Sequence, residues 1–137
     1  MAPYAVVDPW SGIADADAHL GRPFPLPAAP LPLARWIEVR PAGPGVEVEW
    51  NLDDTRPGSP GRLALYAGPE PPPERAWDVE PEALGEAELR TLALDEAEPA
   101  LRPAHELRWQ RDGLHLRLTA QGPWQRRQLM AIAESVG

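Results

Sequence analysis

Three histidines, three serines and two close sets of acids are the residues of this 137-residue chain whose types could do chemistry. Asp15, Asp17 and His19 alternate acid, acid, imidazole. On a strand they would share a face and could hold a hard cation. The surrounding sequence reads as helix, where only positions three or four apart meet, so the set does not converge and Asp15 is left as a helix cap. Asp53 and Asp54 follow an alternating apolar run directly. Paired acids at a strand end could bind Ca²⁺ or act as general acid and base. The spacing of a Ca²⁺ loop is absent, and turn capping with pairing to Arg56 or Arg62 accounts for both residues. His105 and His115 fall on either side of a hairpin and are too far apart to form a ligand pair. Ser11, Ser59 and Ser135 lack a base–acid partner and the Gly-x-Ser-x-Gly turn of a nucleophilic serine. Cysteine is absent, which removes disulfides, thiolate nucleophiles and sulfur-ligated metals. The expectation is a non-enzymatic protein with no catalytic, metal-ligating or cofactor-binding residues.

Charge narrows the partners. The formal net charge of −8 opposes a general affinity for nucleic acid or anionic lipid. The charge is also segregated. Residues 38–98 carry five arginines against fifteen acids, and residues 101–127 carry six against two. Arg102, Arg108, Arg111, Arg117, Arg126 and Arg127 therefore form a candidate interaction surface for an acidic protein partner or a second copy of the chain. The competing reading is intramolecular pairing of acidic loops with the basic hairpin. An RNA platform would need aromatics on the exposed sheet face, whereas Trp109 falls on the core face. No run approaches the roughly 20 apolar residues of a membrane helix, so no membrane insertion is expected. No basic segment followed by an apolar core opens the sequence, which reads as cytoplasmic. Thirteen arginines with no lysine suit a GC-rich bacterial genome, and a single Asn with no Cys would suit a thermophilic source.

These residues must be positioned by short elements, because 19 Pro and 11 Gly punctuate the chain in clusters. Residues 1–13 read as an N-terminal arm, and 14–137 as a single α+β domain with a Pro-rich acidic insertion around 68–88. Ala14–Leu20 predicts a short helix ended by Gly21, with Ala14, Ala18 and Leu20 partly inward. Arg22–Pro27 predicts extended chain, since each Pro disfavours helix in the residue before it. Leu33–Arg40 predicts a strand, Pro41–Gly45 a tight turn, and Val46–Leu52 a strand with Val46, Val48, Trp50 and Leu52 on one face and Glu47, Glu49 and Asn51 on the other. Arg62–Ala67 and Leu89–Leu94 predict strands, with a helical turn over Ala83–Glu88 between them. Glu106–Arg111 and Leu114–Thr119 flank Asp112-Gly113, a pair suited to a type I′ hairpin. That turn sets Arg111 opposite Leu114, Trp109 opposite Leu116 and Arg108 opposite Arg117, a like-charge pair that needs an acid such as Glu106 nearby. Pro123–Val136 predicts a closing helix with Leu129, Ile132, Ala133 and Val136 as its apolar stripe. The whole predicts a curved antiparallel sheet of about five to six strands, with the C-terminal helix and the short N-terminal helix on one face.

The segment Ala14-Asp15-Ala16-Asp17-Ala18-His19-Leu20-Gly21-Arg22-Pro23-Phe24-Pro25-Leu26-Pro27, then Leu31-Pro32, resembles the start of the bacterial domain-of-unknown-function family DUF4367. The ending is also similar: Leu107-Arg108-Trp109, the strand Gly113–Thr119, and Leu129-Met130-Ala131-Ile132-Ala133-Glu134-Ser135-Val136. The resemblance spans residues 14–136, with a poor match over 68–100. It implies a curved antiparallel sheet with helices on one side and no catalytic residues. It also implies kinship with extracytoplasmic parts of anti-sigma-type or lipoprotein sensors, so the location would be extracytoplasmic if this chain is a fragment of a longer family member.

Two functions follow as expectations. The first is a protein-interaction or sensory module acting through the arginine surface. The second is a carrier or sensor of a small apolar ligand held between sheet and helix, with Trp10, Trp36, Trp77 and Trp124 as candidate pocket residues.

Overall fold

The structure, a computed structural model, describes residues 9–31, 34, 36–52, 61–72, 82–84, 87–92, 104–122 and 124–137. It is α+β. The strands are β1 (Trp36–Ala42), β2 (Gly45–Asn51), β3 (Arg62–Gly68), β4 (Glu82–Leu84), β5 (Ala87–Leu92), β6 (Ala104–Arg111) and β7 (Leu114–Gln121), with α1 (Pro9–Leu20) and α2 (Arg126–Glu134) at either end. All seven strands join one open antiparallel sheet in the order β1-β2-β3-β7-β6-β5-β4.

Side-chain alternation makes one face of this sheet apolar. Val46, Val48 and Trp50 of β2, Leu63, Leu65 and Ala67 of β3, Leu107 and Trp109 of β6, and Leu114, Leu116, Leu118 and Ala120 of β7 are all buried in one cluster. The helices close over it. α2 contributes Leu129, Ile132 and Ala133, and α1 contributes Ala16. Phe24 and Trp124 fill in from the flanking chain. After α2, Val136 forms a bridge with Pro27, and Ser135 accepts the amide of Ala28, so the Pro-rich segment is stitched to the helix end.

The Asp112-Gly113 hairpin forms as expected. Both residues have positive φ, 52° and 78°, as a type I′ turn requires, and the pairing Arg111↔Leu114, Trp109↔Leu116 and Arg108↔Arg117 is the expected one. Several boundaries differ. α1 begins at Pro9, inside the expected arm, because Pro is well suited to the first helical turn. It turns Ala16 inward and leaves Ala14 and Ala18 exposed. The turn expected over Pro41–Gly45 shrinks to Gly43-Pro44, with Pro41 and Ala42 still in β1. Pro41 is tolerated because the two-residue turn makes Ala42 and Gly45 the hydrogen-bonded pair, so the missing N–H of Pro41 faces the open edge. The helical turn expected over Ala83–Glu88 is instead the β4–β5 hairpin, and the strand expected over Leu89–Leu94 is shifted to Ala87–Leu92 by its pairing with β6. α2 stops at Glu134, since Val136 leaves the helix to pair with Pro27.

The opposite sheet face is polar in sequence yet also buried at its centre. Glu47, Asn51, Tyr66, Glu106, Arg117 and Thr119 are each less than a tenth exposed. The Tyr66 ring lies against Gly45 and Gly68, and its hydroxyl donates to the Glu70 carbonyl at 2.8 Å. A Cβ on Gly68 would stand 2.2 Å from the Tyr66 hydroxyl and 2.9 Å from the Gly45 Cα. Gly68→Ala is therefore expected to destabilise the fold by about 1–3 kcal/mol, the usual cost of overpacking. A urea midpoint equal to that of the unsubstituted chain would show that the tyrosine is not held there.

Candidate functional site

β-Strand register places a row of ionisable groups across the polar sheet face. Arg40 of β1 lies opposite Glu47 of β2, then follow Tyr66 of β3, Arg117 of β7, Arg108 of β6 and Glu88 of β5. The neighbouring row runs Glu38, Glu49, Ala64, Thr119, Glu106. Alternation within each strand brings both rows to one face. Arg40 Nη2 donates to Glu47 Oε1 at 2.6 Å and to Glu49 Oε1 at 3.1 Å, and its Nη1 meets Glu38 Oε2 at 3.3 Å. Arg117 Nη2 donates to Glu47 Oε2 at 3.1 Å, and its Nε stands 3.6 Å from Glu106 Oε1. Arg108 Nε donates to Glu106 Oε2 at 3.0 Å. The result is one continuous chain, Arg40–Glu47–Arg117–Glu106–Arg108, drawn from four strands and spanning five. Glu106 separates the two arginines that face each other across the hairpin, and the Arg117 guanidinium lies 5.7 Å over the Tyr66 ring centroid.

Burial alone would raise the Glu47 carboxyl, but the charges and hydrogen bonds of Arg40 and Arg117 outweigh it and hold the group below the usual carboxylate range. The Arg40 guanidinium gains in turn: burial disfavours its charge, and Glu47 and Glu49 more than restore it. Burial raises the Tyr66 hydroxyl, against the opposing charge of Arg117. A glutamate held ionised this firmly is a poor proton donor at neutral pH, so Glu47 serves as a fixed anion and not as a general acid.

The six arginines of the candidate surface do not share a face. Arg102 lies outside the described residues. Arg108 and Arg117 belong to the ion-paired sheet face, and Arg117 is buried. Arg111 falls on the helix side, where it donates to the Val136 carbonyl just beyond α2. Arg126 and Arg127 are exposed in the first turn of α2, which carries no acid. The single surface expected from sequence is thus corrected to two sets on opposite faces. The reason is the period of two along β6: one residue separates Arg111 from the parity of Arg108.

The other sequence candidates disperse too. The Asp17 carboxylate accepts the Phe24 amide at 2.6 Å, and His19 Nε2 bonds the Gly43 carbonyl at 3.1 Å. These residues hold α1 to its surroundings, and among the described residues no cluster of three His, Asp or Glu could hold a metal. Asp53 and Asp54 lie outside the described residues. His105 sits opposite Ala120 on the helix side and His115 on the other face. Burial, then the charge of Arg126, lowers the pKa of His105. Ser135 Oγ donates to the Ile132 carbonyl at 2.7 Å and accepts the Ala29 amide at 3.0 Å, closing the helix end. Of the tryptophans, Trp124 is buried beside α2 and lines an apolar groove of about 440 Å³ with Leu31, Ala131 and Ile132. Trp10 and Trp36 belong to α1 and β1, but their side chains, and Trp77 altogether, lie outside the described set. The missed residue of consequence is Glu47. Its place opposite the hairpin arginines was readable only as an alternating glutamate.

No family model, curated protein or solved structure matches the chain. Among the described residues no helix is long and apolar enough to cross a membrane.

Glu47 also gives the fold a pH dependence of known sign. Its folded pKa lies below the unfolded one, so its contribution is fully present above the ordinary carboxylate range and is lost as pH falls through the folded value. Glu47→Gln is expected to cost up to about 3 kcal/mol near neutral pH, because it leaves Arg117 partly uncompensated. It should also make stability fall less steeply with acid. Parallel acid limbs for the two proteins, measured by urea unfolding across pH, would contradict the assignment.

Proposed function

We propose that the chain is a non-enzymatic protein-interaction or sensory module that meets an acidic partner on its helix side. The observation that carries the reading is the separation of the arginines. Three on the polar sheet face, Arg40, Arg108 and Arg117, already hold carboxylates of the same chain. Arg126 and Arg127 stand exposed in the first turn of α2, which carries no acid of its own and where the helix dipole adds to their positive field. Such a field steers an acidic partner toward one side of a chain that is otherwise negative. The resemblance to DUF4367 implies a sensor as well, but it supplies no site and no family model matches the chain. A homodimer through strand pairing has less support at β1, where the prolyl nitrogen of Pro41 blunts the open edge.

The alternative, a small apolar ligand between sheet and helix, meets an interval already occupied by Leu63, Leu65, Leu107, Leu118, Leu129 and Val136, all fully buried. Room for a ligand lies at the margins of that core.

A glutamate-rich peptide is the direct probe of the first reading. Arg126→Ala with Arg127→Ala should weaken its binding by roughly 2- to 10-fold at low salt, the sum of two exposed charge pairs. The fold should remain intact, since both side chains are exposed. Equal affinity of the variant and the unsubstituted chain, read by titration calorimetry, would remove α2 as the contact surface.

A further inference from the structure

At the tip of the β6–β7 hairpin a pocket of about 410 Å³ opens between the chain after α1, the start of β7 and the chain after α2. Its apolar part is Phe24, Leu114, Leu116 and Val136, all buried members of the core cluster, and Asp112 and Gly137 add polar surface. Its rim carries two guanidiniums, Arg22 and Arg111. Each is tethered by one N–H to a backbone carbonyl. Arg22 Nη1 donates to the Asp112 carbonyl at 2.8 Å, and Arg111 Nη1 donates to that of Val136. Those bonds leave most of each fork of donors unused. Neither arginine pairs with a carboxylate of the described residues; Asp112 lines the same pocket, yet its side chain engages neither. In a chain with 21 acids and 13 arginines, two unpaired arginines at one pocket stand apart from the sheet face, where Arg40, Arg108 and Arg117 are each matched to a glutamate. Leu26 lies at the same pocket, and at 39% exposure it is the exposed large hydrophobic side chain of the described residues.

We propose that this pocket binds a small amphiphilic carboxylate, with its apolar body against Phe24, Leu114 and Leu116 and its anionic end between Arg22 and Arg111. The physical case is the pairing of two unlike features. The apolar walls continue the core, so a hydrocarbon body is removed from water at the place where the core reaches the surface. A guanidinium matches a carboxylate in two parallel hydrogen bonds, and both arginines are already oriented by their backbone carbonyls. The volume suits one short aliphatic chain, since it sits toward the low end of the roughly 300–1,000 Å³ of small-molecule sites. The proposal goes beyond the acidic-partner reading and does not depend on it, because that reading is tested at Arg126 and Arg127, at the other end of α2.

Octanoate is the probe, followed by methyl and amide NMR and by calorimetry on the full chain. Octanoate should bind saturably and shift the signals of Leu114, Leu116 and Val136. Octanol, which lacks the charge, and acetate, which lacks the body, should each bind roughly tenfold more weakly or worse. Arg22→Gln and Arg111→Gln should each weaken octanoate by roughly 3- to 10-fold. Arg22 is exposed, so its variant keeps the test decisive even if Arg111→Gln loosens the end of α2. Octanol binding as tightly as octanoate would overturn the proposal, as would octanoate shifts confined to the Trp124 groove, or no saturable binding. An acetylated Leu-Glu peptide binding more tightly than octanoate would also overturn it, and would assign the pocket to a protein segment.

Discussion

The buried pair of Glu47 and Arg117 is the constraint on which the rest of this structure depends. It joins β2 to β7 across the intervening β3, with Tyr66 lying between them in the same row. A buried charge without its partner costs several kcal/mol, so this pair fixes the register of three strands at once. A slip of one residue would turn Glu47 and Arg117 into the apolar core and bring Val46 and Leu116 or Leu118 out. Glu106 and Arg40 extend the pair sideways, so the polar face of the sheet is specified by charge as firmly as the other face is by leucine and valine.

That internal matching decides where recognition is available. A guanidinium already held between carboxylates has little left to offer a partner, and extracting it would cost the fold its own compensation. On the helix side, Arg22 and Arg111 at the hairpin tip and Arg127 on α2 keep unspent donors. The helix side is also where the apolar core reaches the surface, at the Phe24 pocket and at the groove beside Trp124. Charge and apolar surface therefore coincide on one side of the sheet and are absent as a combination from the centre of the other.

Much of the fold was legible in the sequence. The alternation Val46-Glu47-Val48-Glu49-Trp50, the Asp112-Gly113 turn and the stripe of α2 are local patterns, and each forms where its period places it. What escaped was long-range. The β4–β5 hairpin is held by pairing with β6, a contact that Ala83–Glu88 does not advertise. The strand order β3-β7, which skips β4 to β6, is what carries Glu47 to within reach of Arg117, and no local window contains it. The six clustered arginines were visible as a charge run. Their division between faces follows from counting in twos along β6 and β7, which the hairpin register already allowed. The Arg22–Arg111 pair needed more, because its two members are brought together only when the chain after α1 docks on the hairpin tip.

The central claim is that Arg108 and Arg117 of the sheet face are spent, whereas Arg22, Arg111 and Arg127 of the helix side are not. Exchange of guanidinium Nε–H protons, resolved by NMR, tests it most directly. Arg108 Nε–H, bonded to Glu106 Oε2, and Arg117 Nε–H, buried at 3.6 Å from Glu106 Oε1, should exchange slowly. Arg22, Arg111 and Arg127 should exchange at rates close to those of a free arginine side chain. Arg108 and Arg117 exchanging as fast as the helix-side set would contradict the account, because the sheet face would then be open and its arginines available to a partner.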